Sequence, residues 1–328
     1  MSLDALAAFP GAAKYYVAER YALKERFIAL NAEAKLRLFG HSPYPKVLVG
    51  RNKTLFLGDD AAVAGAQGAT PAPRASDTAW LALFNAMDAA FAARNVPLIQ
   101  IIAPDKNTVL PELLPPWLTL ASTPRVSVIV AQLQDLSGPH PVDLARYFAQ
   151  IRRTNQDASL YHRTDTHWTE FGAALAMDAN LAPLLEPTPG LPPLTSPERA
   201  DHGGDLARMI GQQDEINDLA PRIPRPARLS CATPEGAAVE LASIDPLPTA
   251  RFTCHNPLAP ANHALVFMDS FGMAASPRLV QIFRQVDFVW NDTVDMALVD
   301  EIRPDITIRI MVARKLQSAD PAQMLRGE

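Results

Sequence analysis

From His263 to Val312 the chain alternates short apolar runs with helical spacing, and this rhythm constrains the fold more than any other feature. His263 to Met268 reads as a strand, Phe271 to Gln285 as a helix and Val286 to Trp290 as a strand. Val294 to Ile302 then reads as a short helix and Arg303 to Val312 as a strand. Strands apolar on both faces need helices on both sides, which is the arrangement of a mainly parallel sheet with helical crossovers. A similar unit stands earlier. Residues 76–94 have helical spacing behind a Ser76 or Asp77 cap and lead into the nearly continuous apolar run Val96–Pro104. The expected class is α/β. Val126–Ala131 reads as a further strand, Pro141–Arg153 as a helix, and Thr169 to about Leu185 as a helix capped by Thr169. Upstream, residues 13–39 read as a long amphipathic helix ending at Gly40. Lys46–Gly50 and Thr54–Gly58 read as a hairpin turning at Arg51-Asn52-Lys53.

The 328 residues suffice for one large or two modest domains. The chain is expected to form one domain over 1–328, with the N-terminal helix and hairpin (13–58) and a proline-rich excursion (183–260) attached. The 30 prolines concentrate in 183–198 and 221–259, interleaved with apolar residues, which predicts long ordered loops there. The net charge of −5, with no basic stripe, excludes nucleic acid as the expected partner. Cys231 and Cys254 share the proline-rich region. They fit either two reduced thiols or one disulfide in an oxidising compartment. No Cys-x-x-Cys, His/Cys cluster or glycine-rich phosphate loop occurs, so no metal or cofactor is expected.

The candidate chemistry lies in Tyr161-His-Arg-Thr-Asp-Thr-His-Trp-Thr169. In an extended segment Asp165 and His167 would share a side, and the carboxylate would fix the tautomer of the imidazole and raise its basicity. Such a base needs a nucleophile. Ser270 supplies one, because Asp269-Ser270 ends an apolar strand and precedes a helix, a turn that exposes a serine hydroxyl above a sheet. Asp165, His167 and Ser270 form a candidate hydrolase-type triad.

These residues resemble the SGNH hydrolase-like domain of the AlgJ/AlgX-type alginate O-acetyltransferases. The matching pieces are Leu38-Phe-Gly, Pro45-Lys-Val-Leu-Val-Gly50, Leu55-Phe-Leu-Gly58, Pro104-Asp-Lys106, Thr164-Asp-Thr-His-Trp-Thr169, Gly204-Asp-Leu-Ala-Arg-Met-Ile-Gly211, Asp269-Ser-Phe-Gly272 and Pro304-Asp-Ile-Thr-Ile308. The piece around His167 is the specific one. The resemblance implies an SGNH hydrolase-like (flavodoxin-like), mainly parallel sheet flanked by helices, with a circularly rearranged motif order in which Asp165 and His167 precede Ser270. There are two departures. Met268 stands where SGNH proteins usually carry glycine before Asp-Ser. The strand from Pro304 runs into Val312-Ala-Arg314 without the Gly-x-Asn-Asp that would supply the usual oxyanion asparagine.

The resemblance further implies acetyl transfer to an alginate-like exopolysaccharide in the periplasm, as part of alginate biosynthesis, with a membrane-bound O-acyltransferase partner supplying acetyl and no cofactor. It is closer to the AlgJ type, without a carbohydrate-binding module. The sequence itself shows no signal peptide and no membrane-spanning run, and the expectation is a natural leader or anchor preceding it. Two alternatives remain: an acetylesterase with the same triad, and a non-catalytic polysaccharide-binding subunit of an export complex. Secondary candidates for substrate contact are Asp105, Lys106 (to a uronate carboxylate), Tyr161, Trp168 (stacking on a sugar, or packing) and Arg314.

Overall fold

The computed structural model describes residues 42–133, 136–185, 198–216, 218–241 and 250–327. The helix expected over 13–39 and part of the proline-rich excursion lie outside these residues. The hairpin forms as expected. Strand β1 (Val47–Val49) pairs antiparallel with β2 (Leu55–Leu57). Asn52 and Lys53 turn the chain with φ of 55° and 56°.

Helix α1 (Asp60–Ala66) starts where the Asp59 carboxylate accepts the Ala62 N–H. Helix α2 (Asp77–Ala92) is capped by Ser76, as expected, and buries Trp80, Leu83, Phe84, Met87 and Phe91, a stripe at helical spacing. Strand β3 (Leu98–Ala103) is buried at all six positions. A single turn, α3 (Lys106–Val109), follows it.

Residues Arg125–Ala131, read in part as a strand, form helix α4 instead. The run Val126-Ser-Val-Ile-Val is β-branched, but its buried members are Val126, Ile129 and Val130. Their spacing of three and four puts them on one helical face against α2 and the sheet, and burial outweighs the modest strand preference. Helices α5 (Leu144–Thr154) and α6 (Glu170–Leu185) match expectation.

Strands β4 (Glu198–His202) and β5 (Asp218–Arg222) pair antiparallel around helix α7 (Asp205–Met209). Strands β6 (Ser230–Ala232) and β7 (Arg251–His255) follow, in a stretch expected to be loops. The Cys231–Cys254 disulfide joins them at directly paired positions. The C-terminal rhythm holds: β8 (Ala261–Met268), α8 (Phe271–Ile282), β9 (Phe283–Val289), β10 (Val294–Asp295), α9 (Met296–Ile302), β11 (Ile306–Val312), α10 (Lys315–Ser318) and β12 (Leu325–Arg326). Helix α8 stops three residues earlier than expected. Phe283 to Gln285 already pair with Ala261 to His263, and ladder hydrogen bonds replace the helical ones.

The main sheet has the order β3-β11-β8-β9-β7-β6. The first four strands are parallel, and β7 and β6 extend the sheet antiparallel. Alternate side chains divide between two apolar layers. Ile99, Ile101, Val266, Met268, Ile308 and Ile310 join Phe148, Trp168 and Phe271 on one face. Leu98, Ile102, Leu265, Phe267 and Met311 join Trp80, Phe84 and Phe91 on the other. The carboxyl ends of β3, β8, β9 and β11 therefore open on one edge, where open α/β sheets bind ligands.

Candidate active site

Ser270 stands between β8 and α8 with φ −57° and ψ −22°, and its hydroxyl caps nothing on its own helix. The turn is held by Asp269. One carboxylate oxygen accepts the Phe271 N–H at 3.0 Å, and the other accepts the Val312 N–H at 2.8 Å, which ties the turn to the end of β11. Met268, the residue in place of the usual glycine, is buried beneath this turn. A Cβ on Gly272 would lie 2.4 Å from the Met268 Cβ. Glycine at 272 thus makes room for methionine at 268.

Tyr161 to Thr169 is a tight turn rather than an extended segment. Tyr161 and Trp168 bridge its ends, and the His162 N–H donates to the His167 carbonyl at 3.2 Å. The turn still joins Asp165 to His167. Asp165 Oδ1 accepts the His167 backbone N–H at 2.9 Å and lies 2.6 Å from Nδ1. A carboxylate at Nδ1 fixes the proton there and leaves Nε2 as an acceptor. Nε2 lies 2.8 Å from Ser270 Oγ. Asp165 and His167 are both buried.

Asp205, which stands in the sequence only as part of the Gly204–Gly211 motif, completes this arrangement. Its backbone N–H donates to Asp165 Oδ2 at 2.9 Å. Its carboxylate accepts the Thr166 N–H at 2.8 Å and the Thr166 hydroxyl at 2.6 Å. Gly204 permits the approach, since a Cβ there would sit 2.2 Å from the Thr164 carbonyl oxygen. The ligand atoms of Asp165, His167 and Asp205 lie within 4.8 Å of one another, close enough for a metal. Hydrogen bonds join them to one another, to Ser270 and to Thr166. Burial disfavours the imidazolium, but the bond to Asp165, the Asp165 charge and the Asp205 charge together raise the His167 pKa above its ordinary value, against Arg314. Burial and the Asp165 charge raise the Asp205 pKa.

The secondary candidates divide. The Lys106 ammonium is buried and donates to the carbonyls of Leu55 (2.6 Å), Arg163 (3.0 Å) and Asp165 (3.1 Å). It supports the histidine turn from below and does not line the cleft. Burial lowers its pKa to about 7, with Asp165, Asp205 and Asp218 opposing. The Tyr161 hydroxyl is buried and donates to the Pro104 carbonyl. Trp168 is fully buried, donates to the Phe271 carbonyl at 2.8 Å and packs edge-on against the Phe271 ring. It locks the neighbour of the histidine to the neighbour of the serine, and truncating such a side chain costs about 3–5 kcal/mol. Asp105 is buried and paired with Arg314 at 2.8 Å. Of these five, Arg314 alone faces the cleft beside Ser270.

That cleft measures about 500 Å³. Ser270 is on its wall, with Asp59 and Ala61 from the start of α1, Trp290 to Asp292 after β9, and Arg314 and Lys315 after β11. Trp290 and Asn291 were not singled out from sequence. Their one signal is position, at the carboxyl end of an apolar strand. The Ser270 N–H meets no acceptor among the described residues. A hydroxyl nucleophile with a free N–H on the cleft wall, backed by an oriented imidazole at 2.8 Å, can carry out acyl transfer.

The family described as SGNH hydrolase-like domain, acetyltransferase AlgX, matches residues 47–242, more than half of the chain. Comparison with curated proteins finds no match. Solved structures share the fold. A DHHW family protein from Eubacterium siraeum is 13% identical, with a TM-score of 0.59 over 87% of this chain and 97% of that one. Bacillus cereus PatB1, solved with a sulfonyl adduct, is 14% identical, with a TM-score of 0.60 over 85% and 98%. The O-acetyltransferase domain of Pseudomonas putida AlgJ is 17% identical, with a TM-score of 0.51 over 84% and 93%.

Proposed function

Because the chain belongs to the family of SGNH hydrolase-like domains of the acetyltransferase AlgX, we propose that it O-acetylates a polysaccharide through an acetyl-Ser270 intermediate. The observation that carries the reading is the unbroken chain Ser270 Oγ, His167 Nε2, His167 Nδ1, Asp165, with contacts of 2.8 and 2.6 Å.

Ser270 Oγ attacks the carbonyl carbon of an acetyl ester while its proton passes to His167 Nε2. Asp165 stabilises the imidazolium and keeps its proton at Nδ1. The Ser270 N–H donates to the oxyanion. One such donor is worth about 3–4 kcal/mol in the transition state. Collapse expels the donor alcohol, which takes the proton from Nε2. A sugar hydroxyl then gives its proton to Nε2 and attacks the acetyl-serine, and the same steps in reverse free Ser270 and the acetylated glycan. Lys106 and Asp205 act by positioning the turn that carries the base.

The same reading places the protein outside the cytoplasm, in the periplasm, and the Cys231–Cys254 disulfide supports an oxidising compartment. No helix of the described residues is long and apolar enough to cross a membrane. As the family resemblance implies, a membrane-bound O-acyltransferase partner supplies the acetyl group.

The test is acetyl transfer from para-nitrophenyl acetate to a panel of oligosaccharides, with products identified by mass spectrometry. Acetylated oligosaccharide is expected from the wild type and none above background from Ser270→Ala. Release of acetate alone with every acceptor would make the protein an esterase.

A further inference from the structure

We infer that the acceptor is an uncharged glycan rather than a polyuronate, an inference that rests on the acyl-serine reading and adds the class of sugar to it. The described charged residues on the cleft wall are three carboxylates, Asp59, Asp269 and Asp292, and two cations, Arg314 and Lys315. Both cations are already engaged. Arg314 donates to Asp105 Oδ1 at 2.8 Å, and the carboxylate of Asp105 is almost enclosed behind it. The Lys315 ammonium lies 2.7 Å from Asp292 Oδ2 and 3.3 Å from Asp269 Oδ2.

A uronate carboxylate entering this cleft meets an excess of negative charge and two cations with carboxylates already on them. Recruiting Arg314 would leave Asp105 buried and unpaired, which is the expensive way to bind an anion. Sites that capture repeating anions present unpaired guanidinium forks instead. The rest of the wall suits a neutral ring. Trp290 is a half-buried indole whose flat face can cover the apolar side of a sugar, and its ring N–H has no acceptor among the described residues. Asn291 is exposed beside it. Its carbonyl oxygen takes the Thr293 N–H at 2.9 Å, which leaves its amide donors for a hydroxyl.

The experiment has two readouts. The first needs no acceptor: the wild type is assayed for acetyl-enzyme formation from para-nitrophenyl acetate, which tests the acyl-serine reading alone. The second needs no chemistry: Ser270→Ala protein is titrated with length-matched neutral, uronate and glucosamine oligosaccharides at low and high salt. The neutral oligosaccharide is expected to bind at least tenfold more tightly than the uronate at low salt, a gap of about 1.4 kcal/mol. Added salt should narrow the gap by improving uronate binding, because screening relieves repulsion. Asp59→Asn combined with Asp292→Asn should strengthen uronate binding severalfold. Uronate binding equal to or tighter than neutral, and weakened by salt, would overturn the inference. So would glucosamine chains binding best with a steep loss in salt, or neutral chains that bind no better than the background. In either case acetyl-enzyme formation reports separately whether the serine reading survives.

Discussion

His167 and His263 each hold a carboxylate at 2.6 Å, Asp165 in one case and Asp287 in the other, yet the two pairs are built for different ends. Asp287 lies within β9 and is bonded across the sheet. It accepts the Thr253 hydroxyl at 2.6 Å from β7, the Gln285 amide at 3.0 Å and the His263 ring from β8. Both of its oxygens are taken up in holding strands together. Asp165 lies in a turn. One oxygen is fixed by the Asp205 N–H, and the other by two groups of His167. That leaves the far nitrogen of His167 facing a serine, whereas no hydroxyl faces the free nitrogen of His263 among the described residues. A histidine–aspartate pair becomes a base through what the second nitrogen meets. The same pair without a third member is a cross-strand tie.

Removing each histidine in turn separates the two pairs most strongly. Ser270→Ala or His167→Ala should lower ester turnover by about 10⁶-fold, while His263→Ala should leave it within about threefold. Equal losses from the two histidines would abolish the distinction.

Next comes Asp165→Asn, with an expected loss of about 10⁴-fold from the wrong tautomer. Its pH profile sharpens the point. His167 must be neutral to accept a proton, and despite burial its bonds and charges from Asp165 and Asp205 raise its pKa. Wild-type turnover should therefore fall as pH drops through a midpoint above about 6.5, the ordinary histidine value. The residual activity of Asp165→Asn should have its midpoint moved down. An unmoved midpoint would remove Asp165 from the role.

The smallest effect belongs to the other pair. Burial works against the Asp287 carboxylate, but His263, Thr253 and Gln285 outweigh it and hold its pKa at about 2. A depressed carboxylate stabilises the fold above its ordinary pKa, and that stability is lost as pH falls through the folded value. Asp287→Asn should thus cost roughly 2 kcal/mol near neutral pH. The deficit should shrink between about pH 4 and pH 2 in denaturant titrations. Turnover should be unchanged. A deficit independent of pH would mean the pair contributes by packing alone.

Much of this was legible in the sequence because it is local. Asp165 and His167 are two residues apart, and Ser270 ends a strand whose apolar run is unmistakable. The α/β rhythm was legible for the same reason. What escaped depends on contacts made across the chain. Asp205 contributes a backbone N–H, which no residue type encodes, and Gly204 was the one hint of close approach. Lys106 reads as a contact for a uronate carboxylate until burial shows three carbonyls around it. The run at 126–131 has strand chemistry but helical burial. The proline-rich stretch conceals β6 and β7, because strands this short and at the sheet edge carry little periodicity. The pairing of Met268 with Gly272 is a matter of space that neither residue announces.

In the proposed reaction Ser270 carries the acetyl group. The direct measurement is mass spectrometry of the protein quenched in acid during turnover of para-nitrophenyl acetate. The mass of one acetyl group is expected on the peptide containing Ser270, absent from Ser270→Ala and accumulating in the absence of an acceptor. An acetyl group on another residue, or steady turnover with no acetylated protein in either form, would contradict it.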